Sequence, residues 1–532
     1  MATVTLTDLF NNLSNWQGDL LWASTGTMVG TSTSTAFSFT FPSGHPFAGY
    51  NVIVSGSGFT YFRYLTSASP IGGTISNLII LDDTNQFVLG VSGIAANSLA
   101  SDLALFAANV FGWTDANGFV RGSQPNAAWS MLLSGNDTVN GTSGRDANVL
   151  PGMGNGSDLY NMGDGDDWIG GGMGNDTVDG GNGRDGLSFN ETHYQVGISA
   201  SQGIIVDVTA GTVIDAWGDT DTIISIEAFQ GSAFNDLIRG GDIEETFWGL
   251  RGKDTLDGGA SNGNPLQGNG GDWVRYDDDQ WLGGLRGIIV NLETSNVGGT
   301  IKGTIRDGFG SLDRTIDIES VVGTGFNDSF TGSSVQNVFV GGEGRDSYDG
   351  AGGRDILWFF YQFGNVGGTG IVVDLTRASG QIRNDGYGNV ETAVSIENIV
   401  GSGQNDIIKG SAGTNILEGY FGADTMTGAG GNDEFKYYWR PEAGETDTIT
   451  DFRASGAANR DQMQFWVSNW GVSNVLTLVN GTAATQAVST FIFNAATQVL
   501  SWDEDGTGGI GAIDVALLQG VTSLTAANFD LL

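Results

Sequence analysis

The sequence predicts an all-β chain: a parallel β-solenoid of nine-residue units, with a β-sandwich-like module before it and a β-rich module after it. Three observations predict this. Aspartates recur every nine residues, at Asp158, Asp167, Asp176 and Asp185. A large apolar residue lies two positions after each, at Tyr160, Ile169, Val178 and Leu187. A glycine lies two positions before each, at Gly156, Gly165, Gly174 and Gly183. The unit is therefore G-G-x-G-x-D-x-apolar-x, a turn followed by a very short strand with one inward residue. Two units make one coil, so equivalent turns stack every eighteen residues on each edge.

Composition narrows the alternatives. The 532 residues include 21 Lys plus Arg against 60 Asp plus Glu, a net charge of −39. Such a field excludes nucleic acid and anionic membranes as partners and attracts cations. Glycine numbers 87, but only 7 prolines and no Gly-X-Y period rule out collagen. The 29 Phe, 14 Trp and 12 Tyr oppose disorder. Without cysteine there are no disulfides and no thiolate metal sites. The opening "MATVTLTDLFNNLSNW" lacks the basic region and apolar run of a signal peptide, and no membrane span is expected.

The elements follow in order. Residues 1–130 alternate polar and apolar residues and form the β-sandwich-like module, with a helix expected from Asn97 to Trp113. Residues 131–190 hold the first block, preceded by a looser pair, Asp137 and Asp146, three residues out of phase. Residues 191–276 hold spacer coils and a second block: Asp236, Glu245, Asp254, a gap at Gly263, and Asp272, with Ile238, Phe247, Leu256 and Val274 at the apolar slot. Residues 277–360 repeat the plan with Asp328, Asn337, Asp346 and Asp355, and with Phe330, Phe339, Tyr348 and Leu357. Residues 361–438 do so with Asp406, Asn415, Asp424 and Asp433, and with Ile408, Leu417, Met426 and Phe435. Residues 439–532 form the C-terminal module.

The spacers are themselves related. "GIIVDVT", "GIIVNLE" and "GIVVDLT" occupy equivalent places from Gly203, Gly287 and Gly370, and read as strands with both faces covered. Glu227, Glu319 and Glu397 each lie nine residues before the first aspartate of a block, so the spacers are expected to be irregular coils of the same solenoid. Whether these glutamates are end ligands or turn caps is left open. Each block exits through aromatics ("LSF" at 187, "WVRY" at 273, "LWFFYQF" at 357, "FKYYWR" at 435), expected to plug the core where regular coils end.

The turns carry the chemistry. Glycine adopts the positive φ that tight turns require. Asp158 stacks near Asp176, and Asp167 near Asp185, on opposite edges. Carboxylates so stacked repel unless a cation lies between them. The donors are oxygens only: carboxylates and the carbonyls of glycines such as Gly165, Gly172, Gly174, Gly181, Gly183, Gly342 and Gly344. Roughly six to eight oxygens in flexible geometry suit Ca²⁺ better than Mg²⁺. The candidate metal ligands are these glycines, every acid or asparagine at the aspartate slots above, and Glu227, Glu319 and Glu397. An acidic linker would need no apolar residue at every ninth position.

These nonapeptides resemble the RTX, or haemolysin-type calcium-binding, repeat family. The resemblance implies a parallel β-roll, several Ca²⁺ ions in its turns, and the type I secretion machinery as a partner. "DTITDF" (Asp447 to Phe452) and "FIFNAATQVLSWDEDGTGG" (Phe491 to Gly509) resemble the terminal module of such proteins, and "NFDLL" at the end resembles their uncleaved export signals. "DEDG" (Asp503 to Gly506) reads as a further Ca²⁺ loop or an ordinary acidic turn. No H-E-x-x-H, G-x-S-x-G or P-loop occurs, and His45 and His193 stand alone, so no catalytic residue is assigned. The expected function is a secreted, non-enzymatic, calcium-binding structural protein of the cell surface or extracellular matrix. Its further partners would be its own copies or cell-surface polysaccharide. A secreted carbohydrate-active enzyme or a host-interaction protein is the alternative.

Overall fold

A computed structural model describes residues 156–190, 200–260, 271–359, 369–440, 445–455, 460–470 and 476–532 in full, together with the backbone of strands between residues 3 and 140. The chain divides into two compact units, Met1–Gly263 and Asn264–Leu532.

In the first unit, strands of three residues alternate between two parallel ladders. Leu159–Asn161, Thr177–Asp179 and the end of Thr220–Ile224 lie side by side in one. Trp168–Gly170, Gly186–Ser188, Ala228–Gln230 and Thr246–Trp248 form the other. The D-x-apolar triplet dictates this. The middle residue of each strand is buried, as at Tyr160, Ile169, Val178 and Leu187, and in the first three strands its neighbours face outward. Register is set by the same residues, Tyr160 opposite Val178 and Ile169 opposite Leu187. Close stacking of coils explains the glycines: Gly174 has φ +113°, and a Cβ there would sit 1.6 Å from the carbonyl oxygen of Gly156.

The first spacer does belong to the roll, but not as a simple coil. Ile205–Asp207 pairs in parallel with Leu237–Arg239 of the next block. Thr212–Ile214 then runs back antiparallel, and Thr220–Ile224 returns to lie on Thr177–Asp179 of the block before. A three-stranded meander thus interrupts an otherwise parallel ladder. Only one of its faces is covered. Ile204 and Val206 are fully buried while Ile205 is 39% exposed, which corrects the expectation of two covered faces. Each wall of the roll is a single sheet, so alternate residues meet water.

In the N-terminal stretch, Ala36–Thr40, Asn51–Tyr64, Ser67–Leu81 and Phe87–Ser92 pair antiparallel in sequence. Thr3–Leu6 joins Phe87–Ser92 to Thr138–Asn140, which pairs in parallel with Leu159–Asn161. That sheet therefore runs directly into the roll. Asp137, Asp146 and residues 97–112 of the expected helix lie outside the described residues, and its last residue, Trp113, instead begins the short strand Trp113–Thr114.

In the second unit one ladder is parallel throughout: Trp273–Arg275, Ser320–Val322, Val338–Val340, Ile356–Trp358, Asn398–Val400, Ile416–Glu418, Glu434–Tyr437, Gln462–Phe465 and Phe529–Leu531. Facing it, Ser329–Thr331 pairs with Ser347–Asp349, then Thr392–Val394. Further along that side, Val372–Asp374, Ile407–Lys409, Thr425–Thr427, Asp447–Ile449 and Ile513–Leu518 continue in parallel. The meander recurs in Ile289–Val297, Thr300–Arg306 and Leu312–Ile316.

All four slot residues of the third block are buried, and Phe330 stacks on Tyr348 with centroids 5.1 Å apart. The aromatic exit of the fourth block plugs the core as expected. Tyr437 stacks on Phe465 at 5.4 Å, and Phe491 lies 4.6 Å from both Phe465 and Trp502. The closing "NFDLL" supplies the last strand of the ladder, with Phe529 in this cluster, 5.1 Å from Phe491. Among the described residues, no helix is long and apolar enough to cross a membrane.

Candidate metal centre

Among the described residues, eight turns share one backbone form. Four residues before Asp167, Asp176, Asp185, Asp254, Asp346, Asp355, Asp424 and Asp433 stand Gly163, Gly172, Gly181, Leu250, Gly342, Ala351, Tyr420 and Ala429, with φ from +63° to +102°. Two residues before each aspartate the residue is always glycine, with φ from +104° to +148°. The first position tolerates a side chain in the left-handed region; the second, in a region open essentially to glycine alone, does not.

In seven of these turns, all but that of Asp167, the aspartate is shown reaching back to the preceding coil. The backbone N–H of Asp158 donates to Asp176 Oδ1 at 2.8 Å, and that of Asp167 to Asp185 Oδ1 at 2.8 Å. Asp236, Asp328 and Asp406 donate likewise to Asp254, Asp346 and Asp424, each at 2.8 Å and eighteen residues apart. Asn337 donates to Asp355 at 2.8 Å. The pairing predicted from the period is therefore made through one carboxylate oxygen. The other oxygen of Asp176, Asp185, Asp355 and Asp424 is buried with no hydrogen-bond partner. An ionised oxygen so placed costs free energy unless a cation takes it up.

The donor set fits Ca²⁺: aligned carboxylate oxygens, backbone carbonyls at glycine turns, no sulfur and no imidazole. No three acidic or histidine side chains among the described residues converge to hold a metal, so a cation here draws on carboxylates of two stacked turns and on carbonyls. When bound, Ca²⁺ supplies the positive charge that these oxygens lack.

The stacking continues into the spacers. Glu227 accepts from Asp185 N at 2.9 Å, Glu319 from Asp272 N at 2.9 Å and Glu397 from Asp355 N at 3.0 Å, so each is the next step of its edge. Four further acids in this role were missed in the sequence. Asp221 accepts from Asp176 N, Glu391 from Asp346 N and Asp447 from Asp424 N, each at 2.9 Å. Asp461 accepts from Asp433 N at 3.0 Å. A signal for two of them exists in "DAWGDTD" and "DGYGNVE". There Asp215 accepts the backbone N–H groups of Trp217, Gly218 and Asp219, and Asp385 those of Tyr387 and Asn389, a local turn that delivers Asp221 and Glu391 to the edge.

Other slots are closed from within. Ser232 donates its N–H to Asp236 Oδ2 and its hydroxyl to Oδ1, both at 2.7 Å, and Ile204 N adds 2.8 Å to Oδ1. Thr324 serves Asp328 in the same way at 2.7 and 2.9 Å, and Ser402 serves Asp406 at 2.6 and 2.7 Å. Asn337 and Asn415 accept from Ser333 N at 2.7 Å and Ser411 N at 2.8 Å, and Glu245 from Gly241 N at 3.0 Å. Phe234, Phe326 and Gln404 stand where the open turns need glycine. Asp433 is engaged differently, by Arg453 Nη2 at 3.0 Å.

Burial raises the carboxyls of both kinds of turn, and among the open ones Asp185 is raised only to about 6. Burial, with the charges of Asp221, Asp158 and Asp215 adding to it, pushes Asp176 up to about 9. Burial likewise pushes Asp221 and Asp355 up to about 8. Burial raises Asp328 and Asp406 less, to about 7 and about 6, because Thr324 and Ser402 donate to them.

The family model described as RTX calcium-binding nonapeptide repeat (4 copies) matches residues 133–147, 154–187, 240–262, 322–357 and 400–435. The chain carries RTX repeats. A search of curated proteins gives no match. The stretches matched by the RTX model include all eight open turns through their aspartates. RTX repeats bind calcium and are typical of secreted proteins, and the open turns at Asp176, Asp185, Asp355 and Asp424 offer unpartnered carboxylate oxygens.

Proposed function

We propose that the protein is a secreted, non-enzymatic RTX roll that serves as a structural component of the cell surface or extracellular matrix, of the surface-layer, filament or adhesin type. It is exported unfolded by type I machinery reading the C-terminal segment, and it folds outside on Ca²⁺. Its calcium ligands are the aspartates of the open turns other than Asp433, with Asp221, Glu227, Glu319, Glu391, Glu397 and Asp447 as the stacked partners. One observation carries the reading: buried carboxylates aligned by one oxygen while the other has no partner, as at Asp176 and Asp424. A roll that lacks its cations in the cytosol stays open enough to thread an exporter, and extracellular Ca²⁺ of about 10⁻⁴–10⁻³ M then closes it. The proportion of the chain given to repeats and spacers supports the roll as the product rather than an appendage to a catalytic domain.

Sedimentation and negative-stain electron microscopy with and without Ca²⁺ test this. Ordered sheets or filaments that form only with Ca²⁺ are the expected result. A persistent monomer that hydrolyses polysaccharide would replace the structural reading with an enzymatic one.

A further inference from the structure

We infer that Arg453 takes the place of a calcium ion in the last stacked turn pair of the roll, so that this end is closed by the chain's own cation and conceals a latent calcium site. The inference rests on the calcium-binding reading of the open turns. Arg453 Nη2 donates to Asp433 Oδ2 and to Asp461 Oδ1, each at 3.0 Å. The same nitrogen donates to the carbonyl of Gly431 at 2.7 Å, and Nη1 donates to that of Ala429 at 3.2 Å.

Those four oxygens are a calcium donor set in miniature: two carboxylates from successive turns and two carbonyls of the glycine turn. Ala429 and Gly431 are the left-handed and glycine-only positions of the Asp433 turn, with φ +68° and +104°. They correspond to Gly172 and Gly174 before Asp176, and to Tyr420 and Gly422 before Asp424. Backbone bonds hold the arginine in place, since Arg453 N donates to Asp461 Oδ2 at 2.8 Å and Asp461 N donates to the Arg453 carbonyl at 3.0 Å. On the opposite edge, the equivalent oxygen of Asp424 has no hydrogen-bond partner. A guanidinium is charged at every accessible pH and is not lost by dilution or chelation, so this turn pair stays closed when the others open.

The test uses the full-length chain. Bound Ca²⁺ per chain is counted by equilibrium dialysis at millimolar Ca²⁺ for the wild type, Arg453→Ala and Arg453→Lys. The alanine variant is expected to bind one ion more than the wild type. Its C-terminal thermal transition, present in chelator for the wild type, is expected to appear only with Ca²⁺. Arg453→Lys, which keeps a cation at the position, is expected to match the wild-type count. An alanine variant with an unchanged count, or one that stays unfolded at all Ca²⁺ concentrations, overturns the inference. A wild type that binds no Ca²⁺ instead overturns the calcium-binding reading beneath it.

Discussion

At Asp176 the two oxygens of one carboxylate have separate roles: Oδ1 holds the coil before it through Asp158 N at 2.8 Å, and Oδ2 has no partner. The acid is raised from 3.8 to about 9, first by burial and then by neighbouring acids. Its sign is unambiguous. A carboxyl raised in the folded state favours the fold below its unfolded pKa and loses that contribution as pH climbs through the folded value. In chelator, therefore, the fold is expected to be most stable near pH 4 and to weaken progressively toward pH 9. With Ca²⁺ the trend reverses, because protons compete for the same oxygens. Thermal melts from pH 4 to 9 with and without Ca²⁺ check this, and parallel curves would contradict it.

Turns are of two kinds, and the difference is one of local sequence. Where glycine stands two residues before the acid, the backbone opens toward a cation. Where Ser232, Thr324 or Ser402 stands four residues before and a larger residue replaces that glycine, hydroxyl and N–H close the turn. Ser402→Ala is expected to cost about 1.5–3 kcal/mol, the worth of a hydrogen bond to a charged group, without changing the number of bound ions. Asp424→Asn is expected to reduce that number. Urea unfolding in Ca²⁺ together with ion counting separates the two, and loss of an ion in Ser402→Ala would show that the closed turns bind metal.

The nine-residue phase made the register, the single buried file and the edge position of Glu227 legible in the sequence, because each depends on spacing alone. Phase could not separate Asp236 from Asp254, since both obey it; the residue two positions earlier, Phe234 or Gly252, does. Asp221 and Glu391 were hidden because the antiparallel meander reorders the chain, placing Asp221 on Asp176 across forty-five residues. Arg453 was hidden because nothing in its own neighbourhood announces contact with Asp433, twenty residues before it.

Across the whole molecule the opposing terms are plain. The net charge of −39 repels itself, and a nonapeptide such as that of Val178 buries only one large side chain against solvent. A site filled at about 100 times its Kd adds roughly 2.7 kcal/mol, so several sites together decide whether the roll exists. Phe339, fully buried between Val321 and Leu357 of its ladder, shows where that cooperativity is felt. Phe339→Ala is expected to cost about 3–5 kcal/mol and to raise the Ca²⁺ concentration needed to fold, read from the midpoint of a calcium titration. An unshifted midpoint would mean that the core and the ion sites are not coupled.

The most direct measurement is far-ultraviolet circular dichroism of the full chain, started in chelator and titrated with Ca²⁺. A largely unordered spectrum, with residual β-signal from the arginine-closed C-terminal end, should convert cooperatively to a β spectrum as free Ca²⁺ reaches about 10⁻⁴–10⁻³ M. A complete β spectrum in chelator, unchanged by Ca²⁺, would contradict the account.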